Sequence, residues 1–141
     1  MAYAASATYG GSGGNAFTDD LTQSCRVKQV NIQAGDYIDA IQMEYVTPSG
    51  NVITGGLHGG SGGNPVSFEL APNEQIIAVS GSAGDFVDSL TFTTNLGKTW
   101  GPYGGSGGTP FSIKGLNVAG ICGSSGDFLD AIAFYSPAAC Q

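Results

Sequence analysis

Three short acidic loops carry the residues best suited to chemistry: Gly-Asp-Tyr-Ile-Asp at 35–39, Gly-Asp-Phe-Val-Asp at 84–88 and Gly-Asp-Phe-Leu-Asp at 126–130. The leading glycine permits a tight backbone path, so the amides of the first Asp and of the aromatic residue can point outward together, and a second carboxylate closes each loop. Two donors beside an acceptor match neighbouring hydroxyls on a sugar ring, each of which both donates and accepts. Three glycine pentads, Gly-Gly-Ser-Gly-Gly at 10–14, 59–63 and 104–108, supply a second half, because bare backbone brings N–H groups close to a ligand with no side chain in the way. Together the two phrases describe a shallow polyol pocket.

Each pentad is followed by an acidic loop 25, 25 and 22 residues on, and the pentads themselves lie 49 and 45 residues apart. A period of about 47 divides the 141 residues into three units, so the chain reads as one domain, residues 1–141, made of three internal repeats. Flexible linkers share the pentad's composition, but a linker has no reason to recur in register, led each time by Tyr9, His58 or Tyr103 and followed by Asn15, Asn64 or Thr109. A single acidic loop could equally be a hairpin turn whose Asp side chains cap local amides, and three copies weaken that reading. Calcium takes about six to eight oxygens where each loop offers two carboxylates, and a phosphate cradle would need Lys or Arg beside the glycines.

The strands that must hold these phrases are legible from alternation. Val30 and Ile32 share one face of the segment before the first loop, and Ile41, Met43 and Tyr45 share one face after it, which makes a hairpin around the loop. Val52 to Leu57 reads as a strand entering the second pentad, and residues 1–9 as one entering the first. The second unit repeats this with Ile76 to Ser80, Leu90 and Phe92, and the third with Leu116 to Ile121, Ile132 and Phe134. Val30, Val79 and Ile121 each stand five residues before a loop glycine, so the inward-facing position repeats too. No segment has a sustained helical period. About a dozen short antiparallel strands therefore form three sheets, each with one apolar face, and those faces can be buried only against one another in an all-β prism with pseudo-threefold symmetry. The short leading strand needs a partner from the far end of the chain.

Eleven acids against four bases, a net charge of −7 and a pI near 4.1 exclude nucleic acid and anionic membranes as partners, both of which need clustered Lys and Arg. No apolar run approaches the ~20 residues of a membrane span, and the N-terminus lacks a signal peptide's basic start and long apolar stretch, so the chain is expected to be soluble and unprocessed. Cys25, Cys122 and Cys140 form no CxxC pair; a Cys122–Cys140 bridge could tie down the tail. Zinc would need more than His58, and no metal or other cofactor is expected. Catalysis has little to stand on, because His58 is alone, no Ser or Cys has a base, and both Asp residues of a loop sit in one hairpin. Tyr9, Tyr103, Phe111 and Trp100 read as packing residues rather than ligand platforms.

The paired glycine and acidic loops, the stretch at 101–113 (GPYGGSGGTPFSI) and that at 125–135 (SGDFLDAIAFY) resemble the jacalin-related lectins of the mannose-binding type, and the resemblance covers the whole chain. It implies the β-prism I fold, with three antiparallel four-stranded Greek-key-like sheets, and non-catalytic, metal-independent binding of terminal mannose or glucose on glycans and glycoproteins. Carried over residue by residue, it implies three pockets: Asp36, Tyr37 and Asp39 with Gly63; Asp85, Phe86 and Asp88 with Gly108; and Asp127, Phe128 and Asp130 with Gly14. Asp39, Asp88 and Asp130 would accept from the sugar's 4- and 6-hydroxyls, while backbone amides of the other residues donate. A three-site member of the family has tyrosine at all three aromatic positions; Phe86 and Phe128 lack that hydroxyl, so their pockets are expected to bind more weakly than the one with Tyr37. A homodimer or higher homo-oligomer is compatible with the resemblance. A β-prism interaction or storage module without sugar binding is the competing reading.

Overall fold

A computed structural model describes residues 2–137. Fourteen strands are present among them, and no helix. They are β1 (Tyr3–Ala5), β2 (Tyr9–Gly10), β3 (Asn15–Thr18), β4 (Arg26–Ala34), β5 (Ile38–Val46), β6 (Val52–Thr54), β7 (His58–Gly59), β8 (Asn64–Glu69), β9 (Ile76–Ala83), β10 (Val87–Thr94), β11 (Thr99–Gly104), β12 (Thr109–Ile113), β13 (Gly120–Ser125) and β14 (Leu129–Pro137). Three antiparallel sheets result, ordered β6-β5-β4-β8, β11-β10-β9-β12 and β1-β14-β13-β3, with β7 also paired to β5 and β2 to β14. Each sheet thus has four strand positions, and in two of them the edge strand is broken into two pieces. Both ends of the described chain lie in one sheet, where Tyr3 pairs with Pro137.

The broken edge corrects the expectation of a continuous strand from Val52 to Leu57. Gly55 approaches β5 so closely that a Cβ there would stand 2.8 Å from the Met43 carbonyl oxygen, and its amide donates to that same oxygen. The chain bends off the ladder at this point and Leu57 is left exposed. The expected strand from Leu116 to Ile121 is likewise shortened to one beginning at Gly120. Before it the chain crosses between sheets: the amides of Leu116 and Val118 donate to Ile77 and Ile76 on β9, and that of Ala119 donates to Tyr135 on β14. The Cys122–Cys140 pairing falls outside the described residues.

Alternation buries one face of every sheet. Val30, Ile41, Met43 and Tyr45 of the first sheet, Val79, Leu90 and Phe92 of the second, and Ile121, Ile132 and Phe134 of the third meet in one core. Phe92 packs edge-on against Phe134 and tilted against Phe68, joining all three sheets. The residues that lead into the pentads close the corners. Tyr9 stacks on Phe111, His58 on Phe17 and Tyr103 on Phe68, each reaching from its own sheet to the next in a cyclic pattern.

At one corner the leading residue is His58, and it has found partners the sequence does not advertise. Its Nε2 lies 2.6 Å from Asp19, whose other carboxylate oxygen accepts from the Tyr45 hydroxyl at 2.5 Å. Burial, and after it Asp19, hold the Tyr45 phenol protonated well above its ordinary range. Asp19→Ala leaves the buried Tyr45 hydroxyl and the part-buried His58 ring without their acceptor and is expected to lower stability by about 1–3 kcal/mol, read as a shift of the urea midpoint at unchanged slope.

Candidate functional site

The acidic loops are the hairpin turns of the three central strand pairs, β4–β5, β9–β10 and β13–β14. In each the amide of the leading glycine donates to the carbonyl of the aromatic residue, Gly35 to Tyr37, Gly84 to Phe86 and Gly126 to Phe128, at 2.9 Å. That bond tightens the loop. Among the described residues the amides of Asp36 and Tyr37, and of their counterparts Asp85, Phe86, Asp127 and Phe128, donate to no protein acceptor.

The three carboxylate and glycine pairs that the resemblance implies lie side by side. A Cβ added to Gly63 would stand 2.6 Å from Asp39 Oδ1, one on Gly108 2.6 Å from Asp88 Oδ1, and one on Gly14 2.7 Å from Asp130 Oδ1. These three glycines have φ between +77° and +80°, a conformation that side-chain-bearing residues avoid, so glycine is required both by backbone and by space. Gly62, Gly107 and Gly13 hold the second carboxylate oxygen in the same way. As whole residues Asp39, Asp88 and Asp130 are 6–7% exposed, and no protein side chain among the described residues donates to their carboxylates. Burial raises the Asp39, Asp88 and Asp130 carboxyls above their ordinary range, Asp36, Asp85 and Asp127 add like-charge repulsion, and the amides of Gly35, Gly84 and Gly126 offset part of the rise. Each pocket therefore offers a carboxylate acceptor beside backbone donors that no acceptor among the described residues uses.

Two features were not visible in the sequence. The second glycine of each pentad lies against a different acidic loop from the one its last glycine serves: Gly60 against Asp127, Gly105 against Asp36 and Gly11 against Asp85, with Cβ positions 2.2 Å from the respective carbonyl oxygens. Pentads and loops thus alternate in a closed ring at one end of the prism. Inside that ring the rings of Tyr37, Phe86 and Phe128 pack on one another with centroids 4.9–5.1 Å apart, facing a shared centre. The only sequence signal for the ring was the constancy of the second glycine in all three pentads. Tyr9, Tyr103 and Phe111, together with Trp100 stacked on Phe68, serve as corner packing. Among the described residues no three His, Cys, Asp or Glu side chains gather closely enough to share a metal ion.

Three antiparallel sheets closed on one core, with like pockets around one end, define a β-prism I protein built to bind carbohydrate. A family model, the jacalin-like lectin domain, matches residues 6–135. Among solved structures the chain is similar to wild-type Malaysian banana lectin, with 35% identity over 95% of this chain and 97% of that one and a TM-score of 0.84. A mannose-specific jacalin-related lectin from Morus nigra, solved with mannose, has 36% identity over 96% and 94% and a TM-score of 0.86. The mannose-binding jacalin-related lectin AcmJRL from Ananas comosus has 32% identity over 96% and 99%, with a TM-score of 0.86. No curated protein sequence matches the chain. The chain belongs to the jacalin-like lectin family and is a carbohydrate-binding lectin, not an enzyme.

Proposed function

We propose that the whole chain acts as one three-repeat lectin domain that binds terminal mannose or glucose of glycans and glycoproteins through three pockets, without a metal. In this reading Asp39, Asp88 and Asp130 accept from two adjacent sugar hydroxyls, and the amides of Asp36, Tyr37 and Gly63, of Asp85, Phe86 and Gly108, and of Asp127, Phe128 and Gly14 donate to the sugar oxygens. The observation that carries it is the threefold recurrence of a nearly buried carboxylate seated on side-chain-free backbone beside donors with no protein partner. The mannose named for the lectins from Morus nigra and Ananas comosus supports the choice of sugar.

A shallow pocket of this kind binds a single sugar at about millimolar, roughly −4 kcal/mol, and strength comes from valence. A glycan array is expected to show retention of branched mannose-terminated glycans, unchanged by a metal chelator. An array with no mannose-dependent signal, or one that chelator abolishes, would sink the proposal.

A further inference from the structure

The three pockets are not equally supported from behind. The residue two positions before each loop glycine faces outward at the edge of its pentad: Gln33 in the first unit, Ser82 in the second and Ser124 in the third, paired across the ladder with Pro65, Pro110 and Ala16. Gln33 reaches over the neighbouring strand, and its side-chain amide donates to the carbonyls of Gly62 and Ser61 at 3.2 and 3.4 Å. Those carbonyls belong to the segment on which the Asp39 carboxylate sits. A serine is too short for this, and Ser82 instead bonds the Ser89 hydroxyl at 2.8 Å. Below Gln33 on the same face, Asn31 accepts from Gln29 and Ser67 and donates to Gln42 and Glu44, a polar ladder that fills the outer surface of this sheet.

We propose that Gln33 is a positioning residue for the first pocket: by clamping two carbonyls of the second pentad it holds the Gly62–Gly63 amides in place before sugar arrives. A segment of bare glycines loses much conformational freedom on ordering, so a side chain that restrains it in advance strengthens binding without touching the ligand. The proposal rests on the sugar-binding reading above and makes the pockets unequal for a reason separate from the Tyr37 hydroxyl.

The test is a titration of the full chain, labelled with nitrogen-15, with methyl α-mannoside, following the amides of Gly62 and Gly63, Gly107 and Gly108, and Gly13 and Gly14 as reporters of the three pockets. Gln33→Ser installs the residue the other two units already have. Gln33→Glu keeps the shape but exchanges the donor for a carboxylate that repels the carbonyls. Both are expected to weaken the first pocket about two- to tenfold, the range for one hydrogen bond, and to leave the other two unchanged. Ser82→Gln is expected to strengthen the second pocket, and Tyr37→Phe separates the contribution of the hydroxyl. First-pocket affinity unchanged in both Gln33 variants overturns the proposal while leaving the lectin reading intact. Absence of mannose-dependent shifts in the native chain overturns both.

Discussion

Replacing Asp39, Asp88 and Asp130 together by Asn is expected to abolish mannose binding and, at neutral pH, to raise the melting temperature. Asn keeps the side-chain shape, so the seat against Gly62 and Gly63, Gly107 and Gly108, and Gly13 and Gly14 survives, while the charge is lost. A hydrogen bond to a charged acceptor is worth about 1.5–3 kcal/mol, so each pocket loses on the order of tenfold to a hundredfold. From a millimolar start that is beyond detection, and with all three pockets weakened no valence remains to restore it.

The stability gain follows from the direction of the carboxyl shifts. Burial raises all three folded-state values above that of an unfolded aspartate, so between the two values the folded chain holds more protons than the unfolded one. Stability from these groups is complete below the unfolded value and is lost as pH rises through the raised folded one. At neutral pH the ionised carboxylates therefore oppose folding, and a neutral isostere relieves the opposition. The gain in melting temperature should shrink as pH falls through the raised folded-state values, because the native carboxyls then take up protons before an unfolded aspartate does. The same raised values mean that acid should end sugar binding at a higher pH than an unperturbed aspartate would. Calorimetric titration with mannose and thermal melts across pH read both effects; unchanged mannose affinity in the triple variant would falsify the assignment of these carboxylates.

Gly60→Ala is expected to disable two pockets with one methyl group. Its Cβ would stand 2.2 Å from the Asp127 carbonyl oxygen, 2.9 Å from the carbonyl carbon and 3.1 Å from Cα, all backbone atoms that cannot rotate aside. With backbone on both sides of the clash the strain is shared: the second pentad withdraws, carrying Gly62 and Gly63 off Asp39, and the third acidic loop yields, moving the Asp127 amide. Overpacking against backbone of this kind costs about 3 kcal/mol. The pocket of Asp88 and Gly108 shares neither segment and should continue to bind. Gly97→Ala is the control: its φ of +80° makes the substitution strained, but nothing lies within 4 Å, so it should cost stability and leave all three pockets intact. Amide titrations resolved by pocket decide the matter, and independent behaviour of the first and third pockets in Gly60→Ala would show that the ring of loops does not couple them.

The inward positions were legible because a strand turns alternate side chains to opposite faces: Val30, Val79 and Ile121, picked out by their common offset from the loops, are all fully or almost fully buried. The break after Val52–Thr54 was not: Gly55 and Gly56 follow there, but a glycine pair is also compatible with a continuing edge strand, and the bend depends on how closely Gly55 meets Met43 on the neighbouring strand. Asp19, His58 and Tyr45 meet from three separate segments, and nothing local in any of them announces the others.

The sequence by itself determined the strand faces, the threefold grammar and the chemistry of each half-site, since alternation, repetition and the donor or acceptor character of a residue are local properties. Family resemblance added which loop meets which pentad, a matter that spacing leaves open. Only the tertiary structure decided that each pentad also rests on a second acidic loop, that Tyr37, Phe86 and Phe128 turn inward on one another, and that the second pentad alone is held by Gln33. Those arrangements depend on distances between segments far apart in the chain, and such distances exist only once three sheets have closed on a common core.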